Sequence, residues 1–234
     1  MSTPSVVIVT GAAGNAGSAA ARLLAARGAT VVAVDRAVEP LQALVGALAG
    51  SGHIVEAGVD LTDATACAAM AERVLASSGH IDGLVHTVGT FRAAPLSDTD
   101  DGLWDLMMTV NLKTTLNMAR AVVPAMRKAG RGAIVSIAAG AALKAPSGLA
   151  AYAASKSAVI RLTESLADEL KGDGITVNTV MPSTIDTPQN RAAMPDADTS
   201  KWVTPDQVAE VMAFLVSPGA SGVTGAAVPI TGRG

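Results

Sequence analysis

Val6-Val7-Ile8-Val9-Thr10-Gly11-Ala12-Ala13-Gly14-Asn15-Ala16-Gly17, continuing directly into Ser18-Ala19-Ala20-Ala21-Arg22-Leu23-Leu24, is the stretch on which the fold turns. Its first five residues are β-branched and do not alternate with polar ones, the pattern of a strand covered on both faces. The alanine- and leucine-rich run predicts a helix over 16–27, which Gly28 closes as a C′ residue. Between them lies a turn made almost wholly of small residues, which lets the backbone come close to whatever lies at the helix start.

The same strand-then-helix unit repeats outward to the end of the chain. Strands are predicted at 30–34, 53–57, 81–86, 132–137, 175–180 and 226–230. Helices are predicted at 40–49, from Thr62 or Asp63 to about Ser78, and at 112–128, 149–171 and 205–216. Non-alternating strands joined by helices imply right-handed crossovers and a parallel sheet with helices on both faces. The expectation is one α/β domain over residues 1–234, a doubly wound Rossmann fold of about seven strands. Residues 182–203 hold Pro182, Pro188 and Pro195 among Asp, Asn and Thr. They read as a long irregular connection, a candidate mobile lid over a substrate.

Composition removes several function classes. A net charge of −3 offers no basic field to a phosphate backbone, and an aromatic content of 2% offers no base-stacking platform, so nucleic-acid binding is not expected. The single cysteine, Cys67, excludes an internal disulfide framework and a cysteine-cluster metal site; it reads as a buried structural thiol, and no metal is expected. The opening apolar run has no positively charged stretch before it and is too short to span a bilayer. No membrane partner is expected, and a cytoplasmic location is.

Gly11, Gly14, Asn15, Ala16 and Gly17 place free N–H groups and the positive end of a helix dipole beside a close-approach turn, chemistry suited to a pyrophosphate. Asp35, at the end of the second strand and about twenty residues on, suits the hydroxyls of an adenosine ribose. A carboxylate there accepts from a 2′-OH and repels a 2′-phosphate, which favours NAD; the neighbouring Arg36 is the one feature that suits NADP.

These residues resemble the short-chain dehydrogenase/reductase family over essentially the whole chain. The turn is similar to its Thr-Gly-x-x-x-Gly-x-Gly, and Tyr152-Ala153-Ala154-Ser155-Lys156 to its Tyr-x-x-x-Lys. Asp60 and Leu61 follow the third strand where the family contacts adenine, and Asn111 matches an asparagine before the long central helix. Gly89 ends the motif after strand four, and Pro182, Ile185 and Thr187 lie in the segment that wraps the nicotinamide. The resemblance implies catalysis by Tyr152, Lys156 and Asn111 on a small-molecule substrate. It also implies that Lys156 holds the nicotinamide ribose, and that the protein forms a homotetramer or homodimer through helices 112–128 and 149–171. Tyr152 and Lys156 are four apart and share a helix face. An ammonium beside the phenol is expected to lower its pKa from ~10 and ready it for proton transfer.

Three positions depart from the family pattern. Asn15 stands where the motif has its second glycine, and His86-Thr87-Val88-Gly89 replaces Asn-Asn-Ala-Gly. His86 reads as a polar brace of the sheet. Ala139 stands where the catalytic serine is expected, with Ser136 and Ser147 at other positions nearby in sequence. Losing such a donor costs ~3–4 kcal/mol of transition-state stabilisation. Dihydropteridine reductases resemble the chain in this alanine, in the turn and in the lid sequence around Asp186-Thr187-Pro188. Three readings follow: a serine-independent reductase or dehydrogenase of a small carbonyl, quinonoid or hydroxyl substrate; a quinonoid-pterin reductase; and a cofactor-binding sensor that has lost catalysis.

Overall fold

A computed structural model describes residues 5–232. Within them β1 (Val6–Thr10), β2 (Thr30–Asp35), β3 (Ile54–Ala57), β4 (Gly83–His86), β5 (Gly132–Ile137), β6 (Ile175–Pro182) and β7 (Ala227–Ile230) form one sheet. Its order is β3-β2-β1-β4-β5-β6-β7, and every neighbouring pair is parallel. The order reverses between β1 and β4, and a doubly wound sheet opens a ligand crevice at the carboxyl ends of its strands there.

Strand alternation decides which helix covers which face. Val7, Val9, Val31 and Ala33 pack with α1 (Asn15–Ala26), α2 (Val38–Gly46) and α8 (Pro205–Leu215). Val6, Ile8, Val32 and Val34 point the other way, against α3 (Ala64–Ser78), α5 (Thr114–Ala129) and the end of α6 (Ala150–Leu170). Because both faces are buried, none of these strands could show alternation in sequence. Alanines 19, 20, 21 and 25 of α1 are buried beside Ala209, Met212 and Ala213 of α8, small side chains that let the two helices pack closely.

The predicted elements are found, with end shifts of one to three residues and two larger differences. The central helix does not start at 112. The chain turns helical at α4 (Asp101–Met107), passes through a π-helical turn over Met108–Lys113 and continues as α5. The start is set by Asp100, whose carboxylate accepts from the Leu103 N–H at 2.8 Å. Its acidic neighbours Asp98 and Asp101 give the segment the look of a loop.

The 182–203 connection is not irregular throughout. Pro182 still belongs to β6, and α7 (Pro188–Ala193) follows a Thr187 cap with proline in its first turn. The base is pinned by Asp186 N–H to the Val203 carbonyl at 2.7 Å and Val203 N–H to the Thr184 carbonyl at 2.9 Å. No helix among the described residues is long and apolar enough to cross a membrane.

One tight approach far from the crevice tests this packing. Gly174 precedes β6 with φ of 72°, and a Cβ there would lie 2.5 Å from the Gly130 carbonyl oxygen. Gly172 has open space around it. Gly174→Ala is expected to cost about 1–3 kcal/mol in urea unfolding, and Gly172→Ala less than about 0.5. Equal midpoints for the two variants would contradict the packing described.

Candidate active site

The glycine turn is built so that α1 can start against the end of β1. A Cβ at Gly17 would lie 2.1 Å from the Gly11 carbonyl oxygen, which no side chain tolerates. Gly11 itself has φ of 66°, and a Cβ there would meet Thr87 Oγ1 at 2.8 Å. Gly14 is the N-cap of α1 and has no side chain to satisfy the first-turn N–H groups, which therefore remain available to an anion.

A cavity of about 300 Å³ opens at this turn. It brings together Gly11, Gly14, Asn15, Ala16 and Gly17 with Asp35 and Arg36 from the end of β2. Asp60, Leu61 and Gly89 complete the predicted set on its wall, beside Val59, Thr87 and Val88. Asp35 is fixed by two backbone donors, Ala13 N–H and Ala37 N–H, each at 3.0 Å. Asp60 accepts from Thr62 N–H and Oγ1–H; these bonds, with the Arg36 charge nearby, hold its carboxyl below the usual range. A nicotinamide dinucleotide fits this donor set: a close-approach turn, an uncapped helix start and a braced carboxylate at ribose distance in sequence. A larger cavity, about 990 Å³, lies at the opposite end of the strands, among their starts, including Gly132 and Ile175, away from every motif residue.

The residues expected to move protons are grouped beside Gly89, on the wall of the smaller cavity. Lys156 is 3% exposed on α6 and donates to the Ile137 carbonyl at the end of β5, at 2.9 Å. A Cβ at Gly89 would come within 2.9 Å of Lys156 Nζ and 3.0 Å of Asn111 Oδ1, so the glycine lets both side chains pack closely against the backbone here. Asn111 comes from the π-helical turn, fully buried. Its amide group donates to Thr90 O at 3.1 Å and Ser155 Oγ at 2.9 Å, while Oδ1 accepts from Thr90 N–H at 2.7 Å. Ser155 in turn donates to the Tyr152 carbonyl at 2.7 Å. Tyr152 is half-buried, and Phe91 meets its ring edge-on at 4.9 Å between centroids.

The ionisation of the pair differs from the expected one. Burial pushes the Tyr152 phenol up to about 12, not down. Burial also lowers the Lys156 ammonium, to about 8. Each shift favours the neutral form, because solvent is withdrawn from both groups and the lysine donates to the Ile137 carbonyl instead of to the phenol.

His86 is a brace, as its sequence position suggested. Its Nδ1 lies 2.8 Å from Thr10 Oγ1 and its Nε2 3.1 Å from Thr114 Oγ1. Thr114 spends its single hydroxyl proton on the Val110 carbonyl, so it can only accept from His86. The imidazole therefore carries its proton on Nε2 and accepts from Thr10. Burial, then the Lys156 charge, lowers its pKa to about 3. Because Val110 lies in the π-helical turn, this chain of bonds ties β1 and β4 to the segment that presents Asn111.

The two serines near Ala139 are placed very differently. Ser136 is buried within β5, opposite His86, and Ser147 is exposed beyond a short 3-10 turn. Ala139 itself is buried, with extended backbone. Pro182 ends β6, Ile185 pairs with Val203, and Thr187 caps α7; these three stand on the connection and not on the cavity wall. Ser155, Thr87 and Thr114 are site residues that sequence reasoning missed. Ser155 had a signal, since its place three residues after Tyr152 puts it on the same helical face. Cys67 is buried, and burial raises its thiol to about 11. Among the described residues no group of three or more His, Cys, Asp or Glu is placed to hold a metal ion.

Comparison with known proteins gives one consistent result. The short chain dehydrogenase family model matches residues 5–198. D-threitol dehydrogenase of Mycolicibacterium smegmatis is 36% identical, over 97% of this chain and 91% of that protein. The 3-oxoacyl-[acyl-carrier-protein] reductase of Thermotoga maritima is also 36% identical, over 97% and 96%. Among solved structures, levodione reductase superposes with a TM-score of 0.91 at 28% identity, over 99% of this chain and 98% of that one.

The brace has a pH signature. With its folded pKa below the unfolded value of ~6.5, neutral His86 contributes stability above that value. The contribution is lost as pH falls from 6.5 towards 3, because only the unfolded state takes up the proton. Between pH 6.5 and 4.5 the wild-type protein is expected to lose about 2 kcal/mol more unfolding free energy than His86→Asn. Parallel pH profiles in urea denaturation would show that His86 is not held neutral.

Proposed function

The chain belongs to the short chain dehydrogenase family, and we propose that it transfers hydride between a nicotinamide dinucleotide and a small carbonyl, quinonoid or hydroxyl substrate. The observation that carries this reading is the packing of Lys156 and Asn111 against Gly89, on the wall of the glycine-turn cavity, with Tyr152 one helical turn away. In that reading Gly11, Gly14, Asn15, Ala16 and Gly17 receive the pyrophosphate. Asp35, Asp60 and Leu61 receive the adenosine, and Gly89, Lys156, Pro182, Ile185 and Thr187 surround the nicotinamide half. The bound dinucleotide supplies or accepts the hydride.

The protein's own part is the proton. Tyr152 holds its phenolic proton up to about pH 12, so in the reducing direction it is a loaded donor for the substrate oxygen or nitrogen. Lys156 provides an ammonium that steadies the phenolate left behind. Asn111 braces the Tyr152 backbone through Ser155, and its Oδ1 retains a lone pair for a relay water. Ala139 contributes no hydroxyl to the reacting oxygen. This favours an acceptor already activated, such as a quinonoid ring, over a simple ketone. The names of the similar proteins point instead to alcohol and ketone couples. The braced carboxylate of Asp35 favours NAD over NADP, Arg36 being the opposing charge.

The test is NADH and NADPH oxidation against a quinonoid dihydropterin, an ortho-quinone, an aromatic diketone and a β-ketoacyl thioester. NADH is expected to be the better donor. Turnover confined to the quinonoid compounds would mark a serine-independent reductase, and turnover of the ketones would mark another group in the serine's place. Tyr152→Phe is expected to lower kcat by about 10²-fold or more while leaving the Kd for NADH unchanged. Undiminished turnover in that variant would refute Tyr152 as the proton donor, and a silent panel with NADH bound would favour the sensor reading.

The same reading places the protein in the cytoplasm and includes assembly as a homotetramer, or a homodimer, through α5 and α6. A monomeric mass in sedimentation equilibrium would refute that assembly.

A further inference from the structure

Asn15 is the first residue of α1, on the cavity wall, and its side chain does not cap its own helix. The amide instead donates to Gln189 Oε1 at 3.1 Å, a residue 174 positions away on α7. A glycine at position 15, the residue of the family motif, has no group that could make this bond. The bond therefore joins the turn that lines the cavity to the connection that leaves β6. Asn15 lines the cavity and Gln189 does not, so the bond fastens the connection to the rim of the cavity.

Gln189 is presented by a braced helix. Thr187 Oγ1 accepts from Asn190 N–H at 3.2 Å, and Asn190 Nδ2 donates to the Ile185 carbonyl at 2.8 Å. Arg191 grips Asp186 through two hydrogen bonds, and the Ile185 and Val203 bridge fastens the base. The segment is stiff at its root and meets the glycine turn through a bond exposed to solvent. One exposed neutral hydrogen bond is too weak to lock a site shut, and strong enough to slow its opening several-fold.

We infer that Asn15 and Gln189 form a clasp across the dinucleotide cleft, and that this clasp sets how fast the cofactor leaves. The inference rests on the reading that the cavity takes a nicotinamide dinucleotide. Its function is retention: the cofactor departs when the side-chain bond opens and α7 moves off the turn. No covalent step is involved, and neither residue touches the reacting atoms.

The experiment is stopped-flow release of NADH from the full-length protein, followed by fluorescence after mixing with excess NAD. The wild-type protein is compared with Asn15→Gly, Gln189→Ala and the double variant. Asn15→Gly also alters the turn that binds the pyrophosphate, so exposed Gln189 gives the cleaner measurement. Gln189→Ala is expected to release NADH about fivefold faster, the order of one hydrogen bond. The double variant is expected to be no faster than the faster single variant, since the second change has no bond left to remove. A release rate for Gln189→Ala within 1.5-fold of wild type, or effects that multiply in the double variant, would overturn the clasp while leaving the proposed function intact. Failure of the wild-type protein to bind either NADH or NADPH would overturn both.

Discussion

Helix α1 begins where it does because two stretches of backbone are allowed to touch. A Cβ at Gly17 would sit 2.1 Å from the Gly11 carbonyl oxygen, and one at Gly11 would strike Thr87. The hydrogen atoms at those positions let the first turn of α1 seat directly against the exit of β1. That seat brings the uncapped N–H groups of α1 to the carboxyl ends of β1 and β4, where the strand order reverses. It also puts Ala13 N–H within 3.0 Å of Asp35, so that the carboxylate at the end of β2 is aimed by the same turn. A larger residue at either glycine would displace the helix, the anion cradle and the aim of Asp35 together.

Burial then decides the charge state of what surrounds the cleft. Lys156 and His86 are both held almost wholly out of water, and both are pushed towards their neutral forms, to about 8 and about 3. Tyr152 moves the other way, to about 12, because for a phenol the neutral form is the protonated one. Desolvation thus leaves a tyrosine that keeps its proton next to a lysine whose charge is easily adjusted. The cost of burying so many polar groups is offset by pairing: among the described residues every buried side-chain nitrogen and oxygen has a hydrogen-bond partner. The bonds from Thr10 through His86 and Thr114 to Val110, and from Thr90 through Asn111 and Ser155 to Tyr152, give the cleft wall a single arrangement.

The connection after β6 combines both themes. Its root is fixed by backbone bonds to Val203, while α7 reaches the glycine turn through a single side-chain pair. The proline and polar content that made it look irregular reflects caps and turns: Thr187 with Pro188 starts α7, and Asp198 accepts from Ser200 in the turn that follows.

What the sequence by itself determined follows from local periodicity and chain order. Unbroken β-branched runs such as Val6–Thr10, with alanine-rich helices between them, specified a parallel sheet, because that is the arrangement that covers a strand on both faces. The spacing of Gly11, Gly17, Asp35, Tyr152 and Lys156 was legible because each depends on a turn, a strand end or a helical repeat. The helical start at Asp101 was not legible, since a cap amid acidic residues looks like a loop until the following turn is packed. Only the tertiary structure decided the rest. It set the direction of the Tyr152 shift, which depends on burial and on where the Lys156 ammonium points. It chose the tautomer of His86, which is dictated by Thr114, and it brought Asn15 to Gln189 across 174 residues of chain. Desolvation and side-chain partnership depend on all the neighbours at once, and those neighbours come from strands and helices that are far apart in sequence.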